Sequence, residues 1–440
     1  MAPTLDQRVA GIQSVMVDYW EKKTPDLLAE AHPFGDWLVT KGTSKPQKTW
    51  KMKIQTVHSS SQMMRGVATD TLPGADSMPA FEEVTRTMRM ITSRIKFLED
   101  LFLNEDDPIG RSAIETINRE VDDHMKGMTR QLIHGLFSDK SGKGILFEIP
   151  YDAAALPNSY AIGIEVPVDP DFWAFVWPGH IISVHGKNSE AVLTGCTQVR
   201  ITGKKQGSTT YAGYPYTITL DTALTGAAAV PTGGAVAVSQ GSYGYGLESL
   251  YALLKFNGTY MGLNPLTDLS KAYWNPFQFD AQNADIDLVK HVGPTMEELF
   301  FRNPDGEYWM ILHPVQQYKL EAYIRANQNI QVKPLEMKGG WVAMTITIRG
   351  KKLNYIVDRW WPEKDAIPII ARNDLFFHYW GDAPIYIKKR GGGSQQGKAF
   401  LTALTESSVN SYAMDLMSYP SGILTERRDI HAKIINCKTS

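Results

Sequence analysis

At 440 residues, 43% of them apolar and 21% charged, with a formal net charge of −2, the chain has the composition of a globular protein long enough for two or three domains. The near-neutral balance excludes tight nucleic-acid binding through global charge, no run of eighteen apolar residues offers a membrane span, and two cysteines, Cys196 and Cys437, exclude a disulfide framework. Residues 1–20 lack the basic start and apolar core of a signal peptide, so the expectation is a soluble product of a reducing, intracellular compartment.

Residues 1–44 read as an arm. Val9, Ile12, Val15, Met16 and Tyr19 suggest a short amphipathic helix, followed by chain punctuated at Pro33-Phe34-Gly35 and Lys45-Pro46. Trp50-Lys51-Met52-Lys53-Ile54 then alternates apolar and basic residues, the period-two signature of a half-buried strand. A second alternating run, Val84 to Met90, is read as continuing through Ile95 and Phe97. The polar stretch between the two runs, His58 to Ala80, is too long for a tight turn. A lone two-stranded ribbon is marginal in water, so this one is expected to need a partner surface.

Asp107 before Pro108 marks a helix start, a cap followed by proline at the first helical position. Ile114, Ile117, Val121, Met125, Met128 and Leu132 recur at three- and four-residue spacing and predict one buried stripe on a helix from Pro108 to about Phe137, roughly 45 Å long. Charge separates ribbon from helix. Lys45 to Leu98 carries nine Lys or Arg against four acids, whereas Glu99 to Asp123 carries nine acids against two Arg. Solvated faces are the bland explanation of such runs. Opposite blocks on a projecting ribbon and a strut favour a head-to-tail contact between copies, Lys51, Lys53, Arg86 and Arg89 of one chain facing Asp106, Glu115, Asp122 and Asp123 of the next.

Ser138 to Gly144 is a turn-rich exit. From about Pro178 to Ser239 short β-like runs (Ala191 to Leu193, Gln198 to Thr202, Thr217 to Leu220, and a last turn and strand within Ala223 to Ala237) predict a small all-β unit. Mixed α/β texture follows: helices at Thr295 to Phe301 and Val315 to Ala326, a strand at Tyr308 to Leu312, and a hairpin of Val342 to Ile348 with Leu353 to Val357 about Gly350. Strands at Ile367 to Ala371, Leu375 to Tyr379 and Ile385 to Ile387, a last helix around Ser408 to Met417 and a closing strand near His431 to Ile435 complete the reading.

The motifs of catalysis are incomplete. Gly392 with Gly397-Lys398 opens a phosphate loop, but Ala399 stands where a hydroxyl should meet magnesium. Gly392 and Ser394 open a nucleophile elbow that Gln396 fails to close. Gly241, Gly244 and Gly246 lack dinucleotide spacing and read as a bend beside aromatic residues. His180 and His185, five apart, would point to opposite faces of a strand, and Asp280, Asp285, Asp287 and His291 match no ligand spacing. Glu297 and Glu298 suit the first turn of a helix, and Trp360-Trp361-Pro362 reads as a packed corner. No catalytic, cofactor or metal residue is therefore assigned.

The order of arm, extended two-stranded loop, long capped helix, β-rich insertion, α/β domain and closing strand resembles the major capsid protein of tailed bacteriophages, the Hong Kong 97-type fold, an α+β class. The resemblance covers nearly the whole chain by order and texture, most clearly in Pro108-Ile109-Gly110 through Gly144, Thr345-Ile346-Thr347 through Asp358, and Asp365-Ala366-Ile367-Pro368. It implies an N-terminal arm at 1–44, an extended loop at 45–98 lying across a neighbour, and a peripheral domain with its spine helix at 99–150. It further implies an axial α/β domain at 151–375 holding the β-rich insertion at about 178–240, and a return to the peripheral domain at 376–440. The implied function is structural: self-assembly into pentamers and hexamers of an icosahedral head, with scaffolding, portal and decoration proteins as partners, double-stranded DNA held by confinement, no membrane, and assembly in the host cytoplasm into the virion. With about 44 residues ahead of the loop, separate scaffolding or none is implied, and no covalent cross-link is expected. An encapsulin-like nanocompartment shell is the alternative within the fold, and a nucleotide-binding enzyme built on Gly392 to Ala399 is the alternative outside it.

Overall fold

The computed structural model describes residues 29–35, 37, 42–45, 47, 49–57, 80–98, 111–139, 142–169, 176–266, 274–327, 330–337, 340–348, 350–381, 384–387, 401–406 and 409–439. The helix read at Val9 to Tyr19, the stretch between the ribbon strands, the Asp107-Pro108 start and the Gly392 to Ala399 motif lie outside these residues.

After a short strand β1 (Gly42–Ser44), β2 (Thr49–Val57) and β3 (Ala80–Thr87) pair antiparallel as a two-stranded ribbon. The alternation acts as expected: Met52 and Ile54 are buried, Lys51 and Lys53 exposed, and Val84 lies opposite Met52. The run from Val84 to Phe97 is not one strand. It breaks at Met88–Met90, and β4 (Ile91–Leu98) leaves the ribbon. The buried positions before the break are even-numbered (Val84, Met88) and those after it odd-numbered (Ile95, Phe97). A strand cannot change phase without turning its apolar set outward, so the chain must interrupt.

Helix α1 (Arg111–Ile133) buries Ile117, Val121, Met125, Met128 and Leu132 along one stripe, then widens into a π-turn at His134–Ser138 whose five residues are all buried. Helix and π-turn together run about 42 Å. Gly135 lets the turn approach Leu247, since a Cβ there would stand 2.9 Å from its Cδ1. This stripe packs with Met52, Ile54, Val84, Ile95 and Phe97 and with Phe34 and Trp37 of the arm. The partner surface expected for the ribbon is thus supplied, along its apolar face, by the chain's own core. The end of the arm is docked as well. His32 accepts from the Phe34 backbone N–H at Nδ1 (3.1 Å), reaches Asp358 through Nε2 (3.1 Å), and stacks on Phe137 with centroids 4.4 Å apart.

The all-β unit is larger than the sequence suggested, because two earlier strands join it. β5 (Ile145–Ile149), β6 (Glu165–Pro167), β7 (Ile181–Gly186), β8 (Val199–Gln206), β9 (Tyr216–Leu220) and β10 (Ala235–Ser239) form one sheet in the order β5-β10-β7-β8-β9-β6. It has its own core of Phe147, Ile182, Val184, Val199, Ile201, Ile218 and Leu220. Ala191 to Leu193 makes only a single bridge, His185 to Val192.

A one-turn helix α2 (Leu250–Leu253) leads to β11 (Phe277–Ala284), α3 (Gly293–Arg302), β12 (Tyr308–Leu312), α4 (Pro314–Ala326), β13 (Val332–Glu336), β14 (Val342–Ile348), β15 (Lys351–Val357) and β16 (Ile367–Ala371). The chain closes with β17 (Leu375–Tyr379), β18 (Tyr386–Ile387), β19 (Leu401–Glu406), β20 (Val409–Ser418), β21 (Pro420–Thr425) and β22 (Ala432–Cys437). Seven of these strands make a mixed sheet, β11-β22-β16-β12-β15-β14-β13. Tyr308, Met310 and Leu312 of β12 face Met296, Leu299 and Leu320 of α3 and α4, while Trp309 and Ile311 face the core around α1. One strand's alternation therefore joins both layers.

The segment expected as a last helix, Ser408 to Met417, is strand β20. Ala413, Leu416 and Met417 carry helical spacing, but the strand is central, with β4 on one edge and β19 and β18 on the other. Ala413, Met414, Leu416 and Met417 are all buried, so no period-two alternation remained to mark a strand. β1 pairs with β17, which pairs with β21. The result is a mixed α/β molecule, rich in strands and poor in helices.

Candidate intersubunit surface

On the ribbon, Lys51 and Lys53 project from the same exposed face of β2. Lys51 Nζ lies 2.6 Å from Glu83 Oε1, both side chains well exposed, and Lys53 stands directly across from Glu83. Exposed pairs of this kind contribute about 0–1 kcal/mol, so the face remains free to exchange partners. Arg86 is placed differently. Its Nη1 lies 2.7 Å from Glu248 Oε1 with both side chains mostly buried, which fastens the ribbon to the entry of α2. Arg89 lays its guanidinium 5.4 Å from the ring centroid of Tyr245, and its backbone N–H donates to Pro420 O.

On α1, Glu115 and Asp123 are exposed, and half-buried Asp122 pairs with Lys126 one turn on (3.2 Å). Asp106 lies outside the described residues. Along the outward side of α1, Glu115, Arg119, Glu120 and Asp123 occupy the first half, Lys126 and Arg130 the last turns. Arg130, in the last turn, suits the helix dipole, which favours bases toward the C-terminus. The structure therefore gathers Lys51 with Lys53, sets Glu115 and Asp123 on one solvent face, and spends Arg86 and Arg89 on contacts within the chain. Nothing in the sequence marked Glu248 as the partner of Arg86, because no spacing rule links residues so distant.

The remaining candidates are structural. His180 stacks on Trp177 with centroids 4.2 Å apart and meets Ser239 Oγ at 3.1 Å, and burial lowers its pKa to about 4. His185 stacks on Tyr243 and bonds Ser183 and the Glu190 carbonyl. Asp280 accepts from Gln282 N–H and Asn436, Asp285 pairs with Lys319 at 2.8 Å, and Asp287 caps the turn ahead of α3 by accepting from Val289 and Lys290 N–H. Among the described residues no group of His, Cys, Asp and Glu stands close enough to hold a metal ion, and no helix is long and apolar enough to cross a membrane. Glu297 and Glu298 fall in the second turn of α3 and not, as expected, in its first, and Glu298 pairs with Arg302; Trp361 is buried as a packed corner. Gly241 and Gly244 take positive φ in the turn carrying Tyr243 and Tyr245.

No protein-family model and no curated protein matches the chain. Among solved structures, the trace overlaps the cyanophage A-1(L) capsid asymmetric unit at 9% identity over 93% of each chain, with a TM-score of 0.49. It overlaps the holo-SrpI encapsulin complex from Synechococcus elongatus at 8% identity over 92% of this chain and 87% of the other, with a TM-score of 0.38. For a Mycobacterium phage Cain structure the values are 9% identity, 90% and 88% coverage and a TM-score of 0.36.

Proposed function

We propose that the chain is the major capsid protein of a tailed bacteriophage, of the Hong Kong 97 type, and that it acts by assembly and not by catalysis. On this reading copies join head to tail into pentamers and hexamers of an icosahedral head that confines double-stranded DNA, in company with scaffolding, portal and decoration proteins. Residues 45–98 are the extended loop, 99–150 and 376–440 the peripheral domain with α1 as spine, and 151–375 the axial domain with its β-rich insertion. The observation that carries the reading is the ribbon. Its apolar face is anchored by Met52, Ile54 and Val84 in the chain's own core, its other face presents Lys51 and Lys53 to solvent, and a long helix offers Glu115 and Asp123 outward. Heterologous contacts between two such different surfaces close into rings when the rotation allows.

In this scheme Lys51 and Lys53 of one copy face Asp106, Glu115, Asp122 and Asp123 of the next, while Arg86 and Arg89, expected beside them from the sequence, hold Glu248 and Tyr245 of their own chain. The lysines are therefore the cleaner test. Negative-stain imaging and sedimentation of the full chain should give rings or shells. Lys51→Gln with Lys53→Gln should cut that assembled fraction by roughly tenfold or more while moving the melting temperature of the subunit little, since both side chains are exposed and the Glu83 pair is weak. Normal shells from the double variant would remove the ribbon contact, and a wild-type chain that stays monomeric at every concentration and salt would remove the shell reading itself.

A further inference from the structure

A groove of about 710 Å³ opens beside the C-terminal end of α3, walled by Phe256, Phe277 and Phe301 and rimmed by Glu298, Arg302 and Arg427. Phe301 is 85% exposed, far beyond what a large aromatic side chain ordinarily leaves in water. The charges at the rim are already engaged: Arg302 Nη2 lies 2.7 Å from Glu298 Oε1, and Arg427 Nη2 lies 2.9 Å from Asp429 Oδ2. The Arg302 guanidinium sits 5.6 Å from the ring centroid of Phe277. Such a groove suits an aromatic side chain with a polar tip better than a free anion, because its cations are neutralised in place while its walls are apolar.

The chain carries a matching knob elsewhere. Tyr318, on the outer side of α4, is 82% exposed. It cannot fill the groove of its own chain. Arg302 donates to Asp429 O, just ahead of β22, whereas Gln316 and Lys319, which flank Tyr318, donate to Lys438 O, just after it. The six residues of β22 hold the two features about 20 Å apart, more than one side chain spans. Charge adds direction. Arg325, two turns beyond Tyr318, is 83% exposed and holds Glu321 only at 3.7 Å, and Glu298, 38% exposed, meets Arg302 through Oε1, which leaves its Oε2 as the groove's acceptor for a second guanidinium. We infer that the groove at Phe256 and Phe301 receives Tyr318 of a second copy of this chain, with Arg325 of that copy against Glu298. Knob and groove at opposite ends of one strand make a heterologous contact, which builds rings when it closes and filaments when it does not. The inference rests on the shell-protein reading and adds a second contact, distinct from the ribbon.

The full chain with Phe256→Cys and Tyr318→Cys together, mildly oxidised, is expected to give a ladder of covalent multimers on a denaturing gel. Each single-cysteine variant should give none, because Cys196 and Cys437 are buried. In sedimentation, Tyr318→Glu should lower the assembled fraction by roughly tenfold or more at an unchanged melting temperature, and Tyr318→Phe should retain most of it. Wild-type shells accompanied by normal shells from Tyr318→Glu and no ladder would overturn this contact and leave the shell reading standing. A wild-type chain that neither assembles nor cross-links would overturn both.

Discussion

Arg428 is buried where the end of α2 meets the turn that follows it, and its guanidinium donates to the carbonyls of Leu253 (2.7 Å), Gly258 (2.8 Å), Trp274 (3.1 Å), Ala252 (3.2 Å) and Lys255. Helix ends leave carbonyls without intrahelical partners, and a one-turn helix has little else to satisfy them. Burial lowers the pKa of Arg428 to about 10, which still leaves it charged near neutrality. Arg428→Met should therefore lower stability by about 3–5 kcal/mol in urea unfolding, because it strands several buried carbonyls at once. Arg428→Lys should recover only part of that, since an ammonium cannot fork toward carbonyls in so many directions; full recovery by lysine would show that charge alone matters there. In the sequence Arg427 and Arg428 are indistinguishable neighbours. Only packing separates the half-exposed partner of Asp429 from the buried hub.

Among elements, those with a strong single period were readable in advance: the α1 stripe, the alternation of β2, and strand β12 with its two neighbouring helices. Those that failed had mixed signals. β20 is buried on both faces and so carries helical spacing, the phase slip at Met88–Met90 interrupts what reads as one run, and β5 and β6 are short and separated from their sheet partners by long stretches of chain. Of the eight contact residues chosen from charge patterning, exposure could be anticipated for Lys51 and Lys53, but the engagement of Arg86 with Glu248 could not. The ribbon's apolar face offers a test at this scale. Ile54→Ala removes a fully buried side chain from the junction of ribbon and α1 and should cost about 2–5 kcal/mol. Hydrogen exchange should then quicken first in β2 and β3 while β10, in the separate core of the all-β unit, keeps its protection. Equal loss in both would mean that the two cores unfold as one unit.

Across the whole molecule, five histidines, three buried and two half-buried, are held neutral by desolvation: His134 and His431 with pKa values of about 3, and His180, His313 and His378 at about 4. Their hydrogen bonds agree. His431 Nδ1 accepts from Ala371 N–H at 3.1 Å, and His313 Nδ1 accepts from Val315 N–H at 3.2 Å as the cap of α4, so each presents an unprotonated nitrogen. In the unfolded chain the same rings titrate near 6.5. Between that value and about 4 the unfolded state binds more protons than the folded one, so stability rises with pH through this window and falls on acidification. Carboxylates held below their usual range, Glu165 among them, add the same sign lower down. Glu165, held to about 2 chiefly by the hydrogen bond from Lys205 and then by those from Ser208 and Thr210, contributes stability that is present above its unfolded pKa and lost as pH falls toward 2. The histidines sit at the π-turn, in the all-β unit, beside the seven-stranded sheet and on β17, so the loss should affect every layer at once. Thermal melts should be nearly level from pH 8 to 7 and drop steeply from 6.5 to 4.5, before the carboxylates are protonated. His431→Gln, which exchanges a titrating ring for a neutral amide, should flatten part of that slope even if it lowers the melting temperature at pH 8. A profile level down to pH 4.5 in the wild type would mean that these rings are hydrated in solution and not held neutral, and that the cores are looser than their packing implies.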